Sequence, residues 1–145
     1  MKISILPYKD EYRDNMIALW ERSVRATHHF LAPKDIDGLI PLVQGIDFNT
    51  FEVYCAFDDN REMVGILGVA DHKLEMLFLE PNQIGKGIGK QLMQFVIKNL
   101  GVDKVDVNEG NTEAVEFYKK FGFKVYDRTP LDDHGNPYPI LKMKL

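Results

Sequence analysis

At 145 residues, with 45% hydrophobic and 28% charged side chains, the chain has the make-up of an ordinary globular domain, long enough to bury about 68–70% of its unfolded surface without staples. Its single cysteine, Cys55, excludes an internal disulfide, and a net charge of −4 argues against general nucleic-acid binding. No apolar run approaches the roughly 18 residues of a membrane span, and residues 3–6 before Pro7 fall short of a signal-peptide core, so the chain is expected to work in the cytoplasm.

In chain order, residues 3–6 read as a short strand ended by Pro7. Residues 10–25 carry Tyr12, Met16, Leu19 or Trp20, and Val24 at spacings of three to four, which predicts an amphipathic helix. A second helical stretch follows Pro33, with Ile36, Leu39, Ile40 and Val43 apolar, and Pro41 is expected to break or bend it. The period then changes to two: residues 51, 53, 55 and 57 are apolar, predicting a strand with Cys55 inward. Residues 63–70 and 73–79 read as two more strands joined by a tight turn at Asp71 and His72. After a glycine-rich turn comes a helix burying Ile88, Leu92, Phe95 or Val96, and Leu100, with Gly101 as its stop. A strand at 104–107, a helix at about 112–120 and strands near 122–130 and 138–145 complete the chain. This order predicts an α/β protein with a mixed sheet, about seven strands and four helices, in one domain spanning 1–145. Neither a regular doubly wound repeat nor an all-β sandwich fits it.

The turn "NQIGKGIGKQL" (82–92) places Gly85, Gly87 and Gly89 at a helix entrance, where each glycine costs about 1 kcal/mol relative to alanine. Residues 82–100 hold Lys86, Lys90 and Lys98 and no acid, so this segment is +3 while the remainder of the chain carries −7. A strand, a glycine turn and a helix start form an anion site, because unpartnered N–H groups and the helix dipole both favour a phosphate there. A Walker loop aligned on Gly89-Lys90 would need glycine at 84 and Ser or Thr at 91, where Ile84 and Gln91 stand. A dinucleotide fingerprint from Gly85 meets Lys90 at its third glycine, although Asp103 and Asp106 lie near its expected acidic residue.

A third candidate rests on two stretches together. "LFLEPNQIGKGIGKQLM" (77–93), followed by "NTEAVEFYKKFGF" (111–123), resembles the coenzyme A core of the GNAT N-acetyltransferases: [RQ]xxGx[GA] entering a helix, then N-x-x-A-x-x-F-Y-x-x-x-G-F. The resemblance covers about residues 64–125. It departs at Ile84, where the family usually has Arg or Gln; Gln83 is one position away.

This resemblance implies an acetyl-CoA-dependent N-acetyltransferase in which the backbone of Ile84, Gly85, Lys86, Gly87, Ile88, Gly89 and Lys90 holds the pyrophosphate. It further implies that Leu77, Phe78 and Leu79 lie where their strand splays from its neighbour and supplies an oxyanion donor. Tyr118 takes the position of the group that protonates the departing thiolate, and Asn111 the position of a pantetheine contact, while also suiting a helix N-cap. Glu75 is the candidate base: strict alternation puts it beside Leu77 and Leu79, and burial would favour its proton-bound form.

On the acceptor side, "SVRATHHFL" (23–31) and "DDHGNPYP" (132–139) offer Ser23, Thr27, His28, Phe30 and Tyr138 as pocket residues, with His28 an alternative base because an ordinary imidazole titrates near neutrality. His28 and His29 are adjacent and lack metal-ligand spacing, so no metal is expected. The inward Cys55 speaks against a covalent acetyl-cysteine, leaving direct transfer to the primary amine of a small molecule or peptide. A monomer or homodimer, free of membrane and nucleic acid, completes the expectation. The rivals are a non-catalytic coenzyme A-binding sensor, which Ile84 keeps open, and a dinucleotide oxidoreductase.

Overall fold

The structure is a computed structural model and describes residues 2–145. It contains β1 (Ser4–Pro7), α1 (Arg13–Thr27), α2 (Pro33–Gln44), β2 (Glu52–Phe57), β3 (Met63–Ala70), β4 (Lys73–Leu79), α3 (Ile88–Leu100), β5 (Lys104–Asn108), α4 (Thr112–Lys120), β6 (Lys124–Thr129) and β7 (Ile140–Lys144). Short 3-10 turns precede α1 and α3. The seven strands form one sheet in the order β1-β2-β3-β4-β5-β7-β6. Only β4 and β5 run parallel; every other pairing is antiparallel. The expected fold class therefore stands; in place of the repeated βαβ units of a dinucleotide fold, β4–α3–β5 joins neighbouring parallel strands and β5–α4–β6 crosses over β7, which is inserted between its two strands.

Both faces of the sheet are covered. Leu92, Met93 and Val96 of α3 and Tyr118 of α4 pack on one face with Leu67, Val69 and Leu74. Met16, Leu19, Trp20 and Val24 of α1, with Ile36 of α2, cover Val53, Cys55 and Ile66 on the other. Each such burial is worth roughly 1.5–3 kcal/mol, so the stripe read from spacing is what seats α1. Glycine is required at Gly68, because a Cβ there would lie 2.8 Å from the Phe51 ring.

Two local expectations fail. Pro41 does not break α2, which runs on to Gln44. The proline sits on the exposed side, and the packing of Ile36, Leu39, Ile40 and Val43 outweighs its lost hydrogen bond. The second failure concerns β4: its register against β3 shifts between Gly68 and Val69, so that Met76 pairs with Gly68 but Leu74 with Val69. Glu75 is the extra residue of this bulge. Leu74, not Glu75, joins Leu77 and Leu79 on the α3 side, and Glu75 is exposed.

The glycines of the turn differ in what requires them. Gly85 and Gly87 both have φ of +84°, and a Cβ on either would meet nothing within 4 Å. Left-handed backbone, rather than a crowded neighbour, demands them. Gly89 is different: a Cβ there would lie 3.3 Å from Cζ of Phe117, so this glycine lets α3 and α4 close together.

Candidate active site

The sheet opens at its centre. β4 and β5 pair only at Lys73–Lys104 and Leu74–Val105. Beyond that point they diverge, leaving the β5-facing edge of β4 from Glu75 to Leu79 without a strand partner. Two adjoining cavities, of about 190 and 220 Å³, fill the wedge. The first is lined by β4 from Leu74 to Phe78 and by β5 from Val105 to Asn108; the second runs past Leu79 to Ile84 and Gly89. His28, Leu77, Phe78, Asn111, Ala114 and Tyr118 line both.

Tyr118 reaches the wedge from α4. Its ring is held edge-on by Phe117, with centroids 5.5 Å apart, and by Phe123 at 6.0 Å, and the residue is 8% exposed. Burial raises its phenol well above the usual range, so it stays protonated at neutral pH. Among the described residues its hydroxyl has no hydrogen-bond partner, and it is not one of the sealed polar atoms. It opens to the cavity as a donor awaiting an acceptor.

Asn111 caps α4: its Oδ1 accepts from the Ala114 N–H at 3.3 Å, while the residue also lines both cavities. The N-cap expected of Asn111 is therefore present. At the far end, Gly87 is the N-cap of α3, and the first intrahelical bond is donated by the Gln91 N–H to the Gly87 carbonyl. Among the described residues the N–H groups of residues 85–90 donate to no backbone carbonyl. Within it Gly85, Lys86, Gly87 and Lys90 are exposed while Ile88 and Gly89 are buried, and the neighbouring Ile84 amide, expected to be open, is donated to the Pro81 carbonyl at 3.4 Å.

The acceptor-side residues divide. Ser23 and Thr27 line the second cavity, and His28 lines both. Burial lowers the His28 imidazole to about 4, which removes the near-neutral titration that favoured it as a base. Phe30 and Tyr138 lie outside both cavities. Phe30 packs over Gly110, where a Cβ would stand 2.7 Å from its ring, and Tyr138 donates a 2.6 Å hydrogen bond to Asp35 Oδ2. The two rings meet edge-on at 5.9 Å, tying the α1–α2 and β6–β7 loops together.

Glu75 lines the first cavity with its side chain 41% exposed, and Lys73 Nζ lies 3.8 Å from its carboxylate. The burial expected for it is absent, but the bulge still aims it at the wedge. Ile88 is fully buried and can contribute only its backbone. Cys55 is buried, and its thiol is pushed up to about 12, so no thiolate nucleophile is present. Sequence reading missed Asp106, Ala114 and Phe117 as lining residues. The repeat of Ala114 and Tyr118 at i and i+4 was the available signal, since a small residue one turn below the tyrosine makes room for the cavity.

Comparison with known proteins agrees with this geometry. The family model described as "Acetyltransferase (GNAT) domain" matches residues 39–144. The peptidyl-lysine N-acetyltransferase YjaB of Salmonella typhimurium is 40% identical over 144 residues, covering 99% of this chain and 98% of that protein. YjaB of Escherichia coli is 35% identical over 143 residues, covering 99% and 97%. The solution structure of apo-form YjaB from Escherichia coli superposes with a TM-score of 0.89 at 34% identity, over 99% of this chain and 97% of that one. The PaiA N-acetyltransferase of Thermoplasma acidophilum, solved with coenzyme A, shares the fold, with a TM-score of 0.74 at 23% identity over the whole of both chains. Among the described residues no helix is long and apolar enough to cross a membrane. A domain-wide family match, full-length relatives and a sheet split at β4 and β5 lead to one conclusion: the chain belongs to the GNAT family of acetyltransferases and is an N-acetyltransferase.

Proposed function

We propose that this enzyme transfers the acetyl group of acetyl-CoA directly to a lysine-type primary amine presented on a peptide. The exposed amides of Gly85, Lys86, Gly87 and Lys90 hold the pyrophosphate, and the side chains of Lys86 and Lys90 add positive charge nearby. Asn111 and the exposed edge of β4 guide the pantetheine arm into the wedge. An N–H from Leu77, Phe78 or Leu79 stabilises the oxyanion that forms when the amine nitrogen attacks the thioester carbon. As the C–S bond breaks, the Tyr118 hydroxyl supplies the proton that the thiolate takes up. Glu75 accepts the ammonium proton through a water. The observation that carries this reading is the unpartnered hydroxyl of Tyr118 inside the gap between β4 and β5.

The acceptor class is supported by charge and by kinship. Glu75 lines the first cavity and Glu113 the second, which favours a cation, while Asp106 of the first is already paired with Lys73 at 2.7 Å; the full-length relatives are named peptidyl-lysine N-acetyltransferases. The enzyme acts in the cytoplasm as a monomer or homodimer, as one domain over 1–145, without nucleic acid or metal. Thiol release from acetyl-CoA should be followed with a lysine peptide, the same peptide with its lysine side chains acetylated, and a free polyamine. Release is expected with the first and not the second. Equal turnover of the polyamine would shift the acceptor to small molecules, and silence with all amines would leave only a coenzyme A sensor.

A further inference from the structure

The end of α1 holds a hydrogen-bonded chain that the acetyl-transfer chemistry does not yet use. Thr27 Oγ1 donates to the Ser23 carbonyl oxygen at 2.8 Å, and the same oxygen lies 2.8 Å from Nδ1 of His28. A threonine hydroxyl has one proton to give. With that proton on the Ser23 carbonyl, Nδ1 must be the donor in the second bond, and Nε2 is left with its lone pair. Among the described residues Nε2 has no partner, and it is not a sealed atom. His28 lines both cavities beside Phe78, with ring centroids 6.4 Å apart.

Building on the proposed acetyl transfer, we propose that Thr27 locks His28 in the Nδ1–H tautomer so that Nε2 accepts an N–H of the acceptor amine and turns the nitrogen lone pair toward the thioester. His28 then orients the nucleophile, and Thr27 is a positioning residue that acts through it. Burial keeps the imidazole uncharged at neutral pH, so it does not repel a cationic acceptor. The titratable groups facing it across the wedge are Glu75 of β4, Asp106 of β5, and Glu113 and Tyr118 of α4, with His29 adjacent in the chain. None of them is hydrogen-bonded to the ring, so the tautomer is set by Thr27.

The test uses nitrogen-15 imidazole spectra of the full chain at neutral pH, alongside thiol release with acetyl-CoA and a lysine peptide. In the wild type, His28 should show a protonated Nδ1 and an unprotonated Nε2. Thr27→Val keeps the shape of the side chain and removes the hydroxyl. It should mix the tautomers and lower kcat/KM for the peptide on the order of 10-fold, while acetyl-CoA affinity stays within about twofold. Thr27→Ser should restore both tautomer and rate. A protonated Nε2 in the wild type would overturn the proposal. So would mixed tautomers with unchanged turnover, or lost turnover with the tautomer intact. Absence of wild-type thiol release would instead overturn the acetyl-transfer reading and this role with it, a result separable from the spectra, which read the lock without turnover.

Discussion

The catalytic role proposed for Tyr118 would come at little structural cost. The side chain is enclosed by aromatic rings, yet among the described residues its oxygen has no hydrogen-bond partner, so removing it orphans none of them. Tyr118→Phe should therefore leave stability within about 0.5 kcal/mol and coenzyme A affinity within about twofold. Its kcat should fall by roughly 10²–10³. Equilibrium unfolding, calorimetric titration and steady-state rates check the three statements, and near-normal turnover would transfer the proton-donor role to a water. Glu75 behaves differently, because its value as a base depends on the bulge in β4 and not on burial.

The turn into α3 is where an element, not a side chain, makes the site. Its amides are free because the chain passes through left-handed backbone at Gly85 and Gly87 before the helix begins. Gly87→Ala should cost about 1–2 kcal/mol in urea unfolding and weaken coenzyme A binding, since the strained cap can relax only by rotating those amides. Ile84 offers the opposite experiment. It is 44% exposed and lines the second cavity, so its side chain can be changed without touching the core. Ile84→Arg should tighten coenzyme A binding several-fold, about 1 kcal/mol, by adding a charge-assisted contact to phosphate; calorimetry that shows no gain would place the phosphates away from this side chain.

For the molecule as a whole, the buried imidazole of His28 links folding to pH. Its value is about 4 in the folded protein against 6.5 when exposed, so between these limits the unfolded chain binds the extra proton. Stability should therefore fall as pH drops from 6.5 to 4, by on the order of 1–3 kcal/mol. Urea unfolding across that window should show the slope in the wild type and a flatter profile in His28→Gln. A flat wild-type profile would mean that the ring is hydrated and not enclosed by the wedge.

Element order was legible because each element has its own period. The stripe of Met16, Leu19, Trp20 and Val24, the strand alternation around Cys55 and the glycine at 101 each state a local preference that packing confirms. The parts of the proposed coenzyme site were legible for a related reason: they are a contiguous stretch of backbone and a tyrosine one helix later, readable along the chain. What could not be read there depends on residues far apart in sequence. The bulge that moves Glu75 off its expected face arises in the pairing of β4 with β3, and Phe30 and Tyr138 are drawn to Gly110 and Asp35 instead of the cavity. The lowered basicity of His28 likewise follows from enclosure, which exists only once α1, β4 and α4 meet around the ring. Local periodicity is a property of the chain; register, desolvation and the width of the gap between β4 and β5 are properties of the assembled sheet.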